Sequence, residues 1–207
     1  MKAIIFDVDN TLIDWKDEYL FALKKLLLEI YPDITVEKIR EIDNVIDTSE
    51  SYLKELNKEV FLQEIIKRCN IKLPEDFLDK LIIYQGECYC EDKELVDTIK
   101  YLSQKYDLYV ISNWFTETQV KRLENIGIAK YFKKIIGGDQ NYFKPDKRCF
   151  ECILKMYNPD ECMYIGDKLE IDIIPALEVG MNAIWKTKQK SDKYKTIENI
   201  YELKNIL

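Results

Sequence analysis

Apolar runs that end abruptly in polar clusters punctuate this chain. Ala3 to Phe6 is wholly apolar and is followed at once by Asp7, Val8 and Asp9, with Asn10 and Thr11 suited to a turn. Leu108 to Ile111 runs into Ser112 and Asn113. Ile135-Ile136-Gly137-Gly138 precedes Lys144-Pro145-Asp146. Cys162 to Ile165 runs into Gly166 and Asp167, with Asp172 shortly beyond. Short apolar runs rich in β-branched residues predict buried strands. The expected strands are therefore Ala3–Phe6, Leu108–Ile111, Lys134–Ile136, Cys162–Ile165 and Met181–Trp185. Between them, helical periodicity predicts Glu94–Lys105, Glu117–Asn125 (ended by Gly127), Lys147–Met156 (stopped near Pro159) and Ile173–Val179 (ended by Gly180). A helix over Thr196–Ile206 closes the chain, after a polar surface loop from Lys186 to Lys195.

The segment from Asp14 to Asp92 reads differently, because it contains no convincing strand. Leu20, Leu23, Leu27 and Ile30 recur at helical spacing, and so do Ile39, Ile42 and Val45 or Ile46 after Thr35, an expected N-cap. Val60 to Cys69 forms a third predicted helix. A fourth passes through Leu78, Leu81 and Ile82 with Pro74 in its first turn. Strand–helix alternation elsewhere predicts an α/β fold with a parallel sheet covered on both faces, and such sheets bind ligands at the carboxyl ends of their strands. All four polar clusters fall there. The helical segment interrupts the chain just after the first cluster, so it is placed to fold over that mouth. The expected organisation is an α/β core of residues 1–14 and 92–207 with a helical insert over 15–91.

Composition narrows the chemistry. The chain has 207 residues, a net charge of -7 and a hydrophobic fraction of 47%, enough apolar material for a packed core. An acidic balance argues against nucleic acid, where binding rests on neutralising phosphates. No apolar run approaches the ~20 residues of a membrane span. With a strand predicted at the N-terminus and no signal peptide, the expected location is cytoplasmic. The absence of histidine excludes His-based triads and His-ligated zinc, leaving acid–base work to carboxylates, Lys, Tyr or Cys. Cys149 and Cys152 have the spacing of a redox or metal pair, but on a predicted helix they read as small apolar residues, as do Cys69, Cys88, Cys90 and Cys162.

Two carboxylates at the end of a buried strand are costly to bury unpartnered; they suit a cation, or a nucleophile beside a proton carrier. The ordered series Asp7-Val8-Asp9-Asn10-Thr11-Leu12, Ser112-Asn113, Lys144-Pro145 and Gly166-Asp167 with Asp172 resembles the haloacid dehalogenase-like superfamily, and the resemblance covers the whole chain. It implies a Rossmann-like parallel sheet with an inserted all-helical cap, and a Mg²⁺-dependent phosphatase working through an aspartyl-phosphate. By that resemblance Asp7 is the nucleophile and Asp9 the general acid–base. Ser112 and Asn113 bind the phosphoryl group, and Lys144 neutralises charge on it. Asp7, Asp9 (through its carbonyl) and Asp167 hold Mg²⁺, with Asp172 behind them and Glu170 solvated or in an outer position. Dehalogenases of the superfamily lack an aspartate at the position of Asp9. A phosphomutase would use a Thr–Lys pair near the first motif, for which Lys16 is present without a Thr partner; a non-catalytic binding protein is a further alternative. Trp114, Trp15 and Tyr19 stand where they could line the pocket or pack the cap on the core. The expected partner is a small phosphate ester, with the chain a monomer or weak homodimer.

Overall fold

In a computed structural model, which describes residues 1–14, 16–53, 55–88 and 92–207 and leaves the Lys16 side chain undescribed, six strands form one parallel sheet. They are β1 (Ala3–Phe6), β2 (Asp107–Ile111), β3 (Phe132–Ile136), β4 (Cys162–Gly166), β5 (Asn182–Lys186) and β6 (Thr196–Ile197), in the order β3-β2-β1-β4-β5-β6. The register aligns Phe6 with Val110 on one side and Ile165 on the other. Asp7, Ser112 and Asp167 therefore leave the sheet along one edge, where the chain order switches sides of β1.

Side-chain alternation explains the burial. Ile4 and Phe6 of β1 pack with Val110, Ile165 and Ile184 beneath one helical layer, whereas Ala3 and Ile5 pack with Tyr109, Ile111 and Tyr164 beneath the other. The four helices of the inserted segment are α1 (Lys16–Ile30), α2 (Val36–Asp47), α3 (Lys58–Cys69) and α4 (Phe77–Gly86). The rest are α5 (Lys93–Ser103), α6 (Thr116–Ile126), α7 (Glu151–Leu154), α8 (Ile174–Glu178) and α9 (Leu203–Ile206). Helices α1 to α4 enclose a separate apolar cluster that includes Leu27, Ile42, Phe61, Ile65 and Leu81, closed from the sheet side by Phe115 and Phe143. Trp15, Cys90 and the crossing just before Asp92 lie outside the described residues, so the expected limits of the insert meet the structure at Asp14 and Asp92. Lys186 Nζ donates to the carbonyls of Asn10 and Thr11 at one crossing, and Tyr201 Oη donates to Asp92 at the other.

Several expectations change. Thr35 caps α2 as anticipated, accepting from Lys38 N. Pro74, however, does not begin α4: it opens a turn closed by Phe77 N to its carbonyl, and the helix starts at Phe77. The single helix expected over Lys147–Met156 is a 3₁₀ turn followed by the short α7. Asn141 Nδ2 takes the Cys149 carbonyl that an α-helix would use, and Cys149 N bonds three residues back to Asp146. Thr196 and Ile197, expected in a final helix, extend the sheet as β6 beside Trp185 and Lys186, where Ile197 is buried. A single π-helical turn over Leu169–Ile173 precedes α8. Cys69, Cys149 and Cys162 are buried free thiols inside apolar clusters, as read from the sequence, and burial pushes Cys149 up to about 12, far from a reactive thiolate; Cys88, only partly buried, instead donates its thiol to the Glu18 carbonyl. Phe61, fully buried, meets the Trp114 ring edge-on at 6.0 Å between centroids. Phe61→Ala removes that contact and most of a core side chain, and is expected to cost about 3–5 kcal/mol in equilibrium urea unfolding.

Candidate active site

The candidate side chains converge at the carboxyl edge of the sheet, around an open cavity between it and α1, α2 and α4, with about 740 Å³ of empty space when the solvent at its mouth is included. Lys144 is at the centre. Only 2% exposed, it donates from Nζ to Asp7 Oδ1 at 2.7 Å, to Asp172 Oδ1 at 2.7 Å and to Tyr164 Oη at 2.8 Å. Burial alone would depress its pKa, but Asp172 and Asp7 hold it well above the ordinary lysine value, so it stays charged. Its loop is held by Asn113, whose Oδ1 accepts from Lys144 N and whose Nδ2 donates to the Lys144 carbonyl. The side chain of Asn113 is thus committed to placing the lysine, while the expectation for the phosphoryl group concerns its backbone N–H.

Asp172, 1% exposed, accepts from Lys144 and Tyr164 on one oxygen and from Lys168 N on the other. It reaches this position because residue 166 is glycine: a Cβ there would sit 2.5 Å from the Asp172 carboxylate. Asp167 packs beside it, and its buried Oδ1 has no hydrogen-bond partner. One carboxylate oxygen each from Asp7, Asp167 and Asp172 lie within 4.8 Å of one another. Against these three carboxylates stands the Lys144 ammonium. Burial, reinforced by Asp172, Asp9 and Asp167 and offset by Lys144, pushes Asp7 up to about 8; burial and then Asp172 push Asp167 up to about 6. A surplus of crowded negative charge with an orphaned oxygen fits a hard divalent cation, which takes oxygen ligands.

Asp9 points elsewhere. Its Oδ1 meets Arg122 Nη1 at 2.5 Å and its Oδ2 accepts from Gln119 Nε2 at 2.5 Å. Gln119 Nε2 also donates to Ser112 Oγ, which accepts from Trp114 N as well. With both lone pairs engaged, the Ser112 hydroxyl retains its own proton to donate. Glu170 is exposed and does not line the cavity. Trp114 lines the cavity and donates from Nε1 to Gln85 of α4 at 2.9 Å, and Tyr19 of α1 lies against Arg122, so each joins the helical segment to the sheet.

Sequence reasoning missed Arg122, Gln119, Tyr164 and the hydrogen-bonding role of Tyr19. The signal for the first two was present. In α6 the buried positions are Thr118, Gln119, Arg122 and Leu123, so a glutamine and an arginine occupy the face that periodicity assigns to the interior. Tyr164 carried no such signal, since an aromatic residue inside a strand reads as packing.

The fold and this cluster define a hydrolase class. The chain belongs to the haloacid dehalogenase-like hydrolases, whose family model matches residues 4–186. It is similar to the pyrimidine 5'-nucleotidase PynA of Streptococcus pneumoniae, 26% identical over 98% of this chain and 90% of that protein. It is also similar to the glyceraldehyde 3-phosphate phosphatase of Methanothermobacter thermautotrophicus, 28% identical over the whole of both chains. YfnB of Bacillus subtilis, solved bound to magnesium, superposes with a TM-score of 0.82 at 23% identity, covering 100% of this chain and 98% of that one. Among the described residues no helix is long and apolar enough to cross a membrane.

The raised carboxyl pKa values carry a stability consequence. Folded Asp167 and Asp7 hold protons more tightly than the unfolded chain, so without a divalent cation stability falls as pH rises from about 4 through about 6 and then about 8. In chelator, Asp167→Asn is expected to be more stable than the wild type at pH 7 by on the order of 1–3 kcal/mol and to show a flatter pH profile in urea unfolding. Saturating Mg²⁺ is expected to reverse the order of the two proteins.

Proposed function

We propose that this chain is a Mg²⁺-dependent phosphatase of small phosphorylated metabolites that works through an aspartyl-phosphate on Asp7, with residues 15–91 serving as a cap over the site. The observation that carries this reading is the pairing of Asp7 with the buried Lys144 beside a carboxylate oxygen left without a partner on Asp167. The names of the relatives, phosphatases and nucleotidases, agree with it.

Lys144 holds Oδ1 of Asp7 and orients the carboxylate so that Oδ2 attacks phosphorus. As the bond from phosphorus to the leaving oxygen breaks, Asp9 supplies the proton that oxygen needs. It then takes a proton from the water that attacks the aspartyl-phosphate, releasing phosphate and restoring Asp7. Ser112 donates its hydroxyl proton to a phosphoryl oxygen, and Lys144 offsets the charge building there. Asp7, Asp167 and the Asp9 carbonyl would hold Mg²⁺, which when bound neutralises the carboxylate surplus and the phosphoryl charge. Asp172 keeps Lys144 in place, and its two oxygens are already occupied by Lys144, Tyr164 and Lys168. The presence of Asp9 favours a phosphoester over a halide, whose departure needs no proton.

The walls of the cavity bear on the rest of the substrate. Asp43 and Asp47 of α2 and Glu50 just after it face it from the helical side. Among the described residues lining it, Lys144 and Lys168 are the cations; the first is held by Asp7 and Asp172, the second lies 3.7 Å from Glu50. An ester whose remainder carries a carboxylate meets like charge there.

Asp7→Asn is expected to abolish turnover of p-nitrophenyl phosphate with Mg²⁺, without a burst of p-nitrophenol in stopped flow, while the far-UV circular dichroism is unchanged. A burst in that variant would contradict nucleophilic attack by Asp7. Chelation is expected to remove wild-type activity and added Mg²⁺ to restore it. For the substrate, kcat/KM for phosphoglycolate is expected to be lower than for ethylene glycol monophosphate by roughly five- to tenfold, the effect of about 1 kcal/mol of repulsion. The double variant Asp43→Asn, Asp47→Asn should narrow that gap.

A further inference from the structure

Arg122 is the largest fully buried side chain of the described structure, and its position is not explained by packing. It rises from the middle of α6 and spends its donors on three parts of the chain. Nη1 reaches Asp9 Oδ1 at 2.5 Å, Tyr19 Oη at 2.8 Å and Gln119 Oε1 at 3.1 Å. Nε reaches the Cys88 carbonyl at 3.2 Å. Nη2 is buried without a partner. Tyr19 belongs to α1 at the start of the helical segment, and Cys88 follows α4 at its end. The guanidinium also lies over the Tyr19 ring, 4.6 Å from its centroid. A charge this deep, with one donor unmet, is poorly explained as a stability device, since a buried ion pair does little more for folding than apolar side chains of the same volume.

We infer that Arg122 is a positioning residue for Asp9, fixing its carboxylate plane together with Gln119 and making that orientation depend on the seating of α1 and the end of α4. This assignment rests on the phosphatase reading above. Asp9 touches Arg122 and Gln119 through both oxygens, so its side chain has one defined orientation beside Ser112, and the guanidinium that sets it also bonds Tyr19 and the Cys88 carbonyl. The general acid is thereby tied to the position of the helical segment by a single guanidinium. Asp7 is independent of this network, being held by Lys144.

The test separates proton transfer from structure by leaving group. Measured as kcat/KM, which covers the steps up to departure of the leaving group, an alkyl phosphate needs the proton from Asp9, whereas p-nitrophenolate leaves with little help. Arg122→Gln is expected to lower kcat/KM for an alkyl phosphate by on the order of 10²-fold, and that for p-nitrophenyl phosphate by less than about tenfold. Arg122→Lys should fall between this variant and the wild type, and Tyr19→Phe should show a weaker form of the same selectivity. In an Asp9→Asn background, Arg122→Gln should add almost nothing for either ester, because the two act as one unit. Equal losses on both esters, or losses that add in the double variant, would overturn the assignment and leave Arg122 a structural residue. Should Arg122→Gln fail to fold, Arg122→Lys and Tyr19→Phe decide by the same ratio. Absence of turnover of either ester by the wild type with Mg²⁺ would overturn the phosphatase reading, and this assignment with it.

Discussion

One ammonium group organises the carboxyl edge of this sheet. Lys144 comes from the loop after β3, is clamped through its backbone by Asn113 from the end of β2, and reaches Asp7 from β1 and both Tyr164 and Asp172 from β4 and the turn beyond it. Four segments of the chain thus meet around one lysine, three side chains at its ammonium and one at its backbone. Charges so deeply buried are tolerated only when paired and fully hydrogen-bonded, and removing one partner of such a pair is far more damaging than never having built it. The glycine at 166 belongs to the same constraint, since any side chain there would collide with Asp172.

The constraint is deliberately incomplete in charge. Asp7, Asp167 and Asp172 outnumber the lysine between them, and Asp167 keeps an oxygen with no partner. The surplus destabilises the cluster on its own, and its donor set fits a hard divalent cation. Asp9, two residues from Asp7, is bonded on the other side, by Arg122 and Gln119. Neighbouring carboxylates are thereby given different partners, an ammonium for Asp7 and a guanidinium for Asp9. The helical segment participates through Tyr19, Gln85 and Glu50, which bond or pair with Arg122, Trp114 and Lys168 on the sheet side.

Much of this was legible in the chain. The apolar runs placed β1, β2, β4 and β5 to within a residue or two, and the helix-only stretch between Asp14 and Asp92 was plain from its periodicity. Asp7, Asp9, Ser112 and Asp167 stood out as polar residues just past strand ends, whereas Lys144 and Asp172 were picked out by their place in the ordered series. Local errors had local causes: side-chain and backbone bonds from Asn141 and Asp146 tightened the start of one helix into a 3₁₀ turn, and a two-residue edge strand at Thr196 is too short to carry a period.

Sequence alone determined which residue types stand at the ends of which strands, because burial and strand period act over a few neighbouring positions. It did not determine what each polar side chain touches. That the Asn113 side chain clamps Lys144, whether Asp9 faces the carboxylate cluster or Arg122, and whether a tyrosine inside β4 packs or bonds depend on strand order and on the approach of α1, α4 and α6. Those are contacts between residues tens to more than a hundred positions apart. Their energies depend on desolvation and distance in three dimensions, which no local pattern encodes.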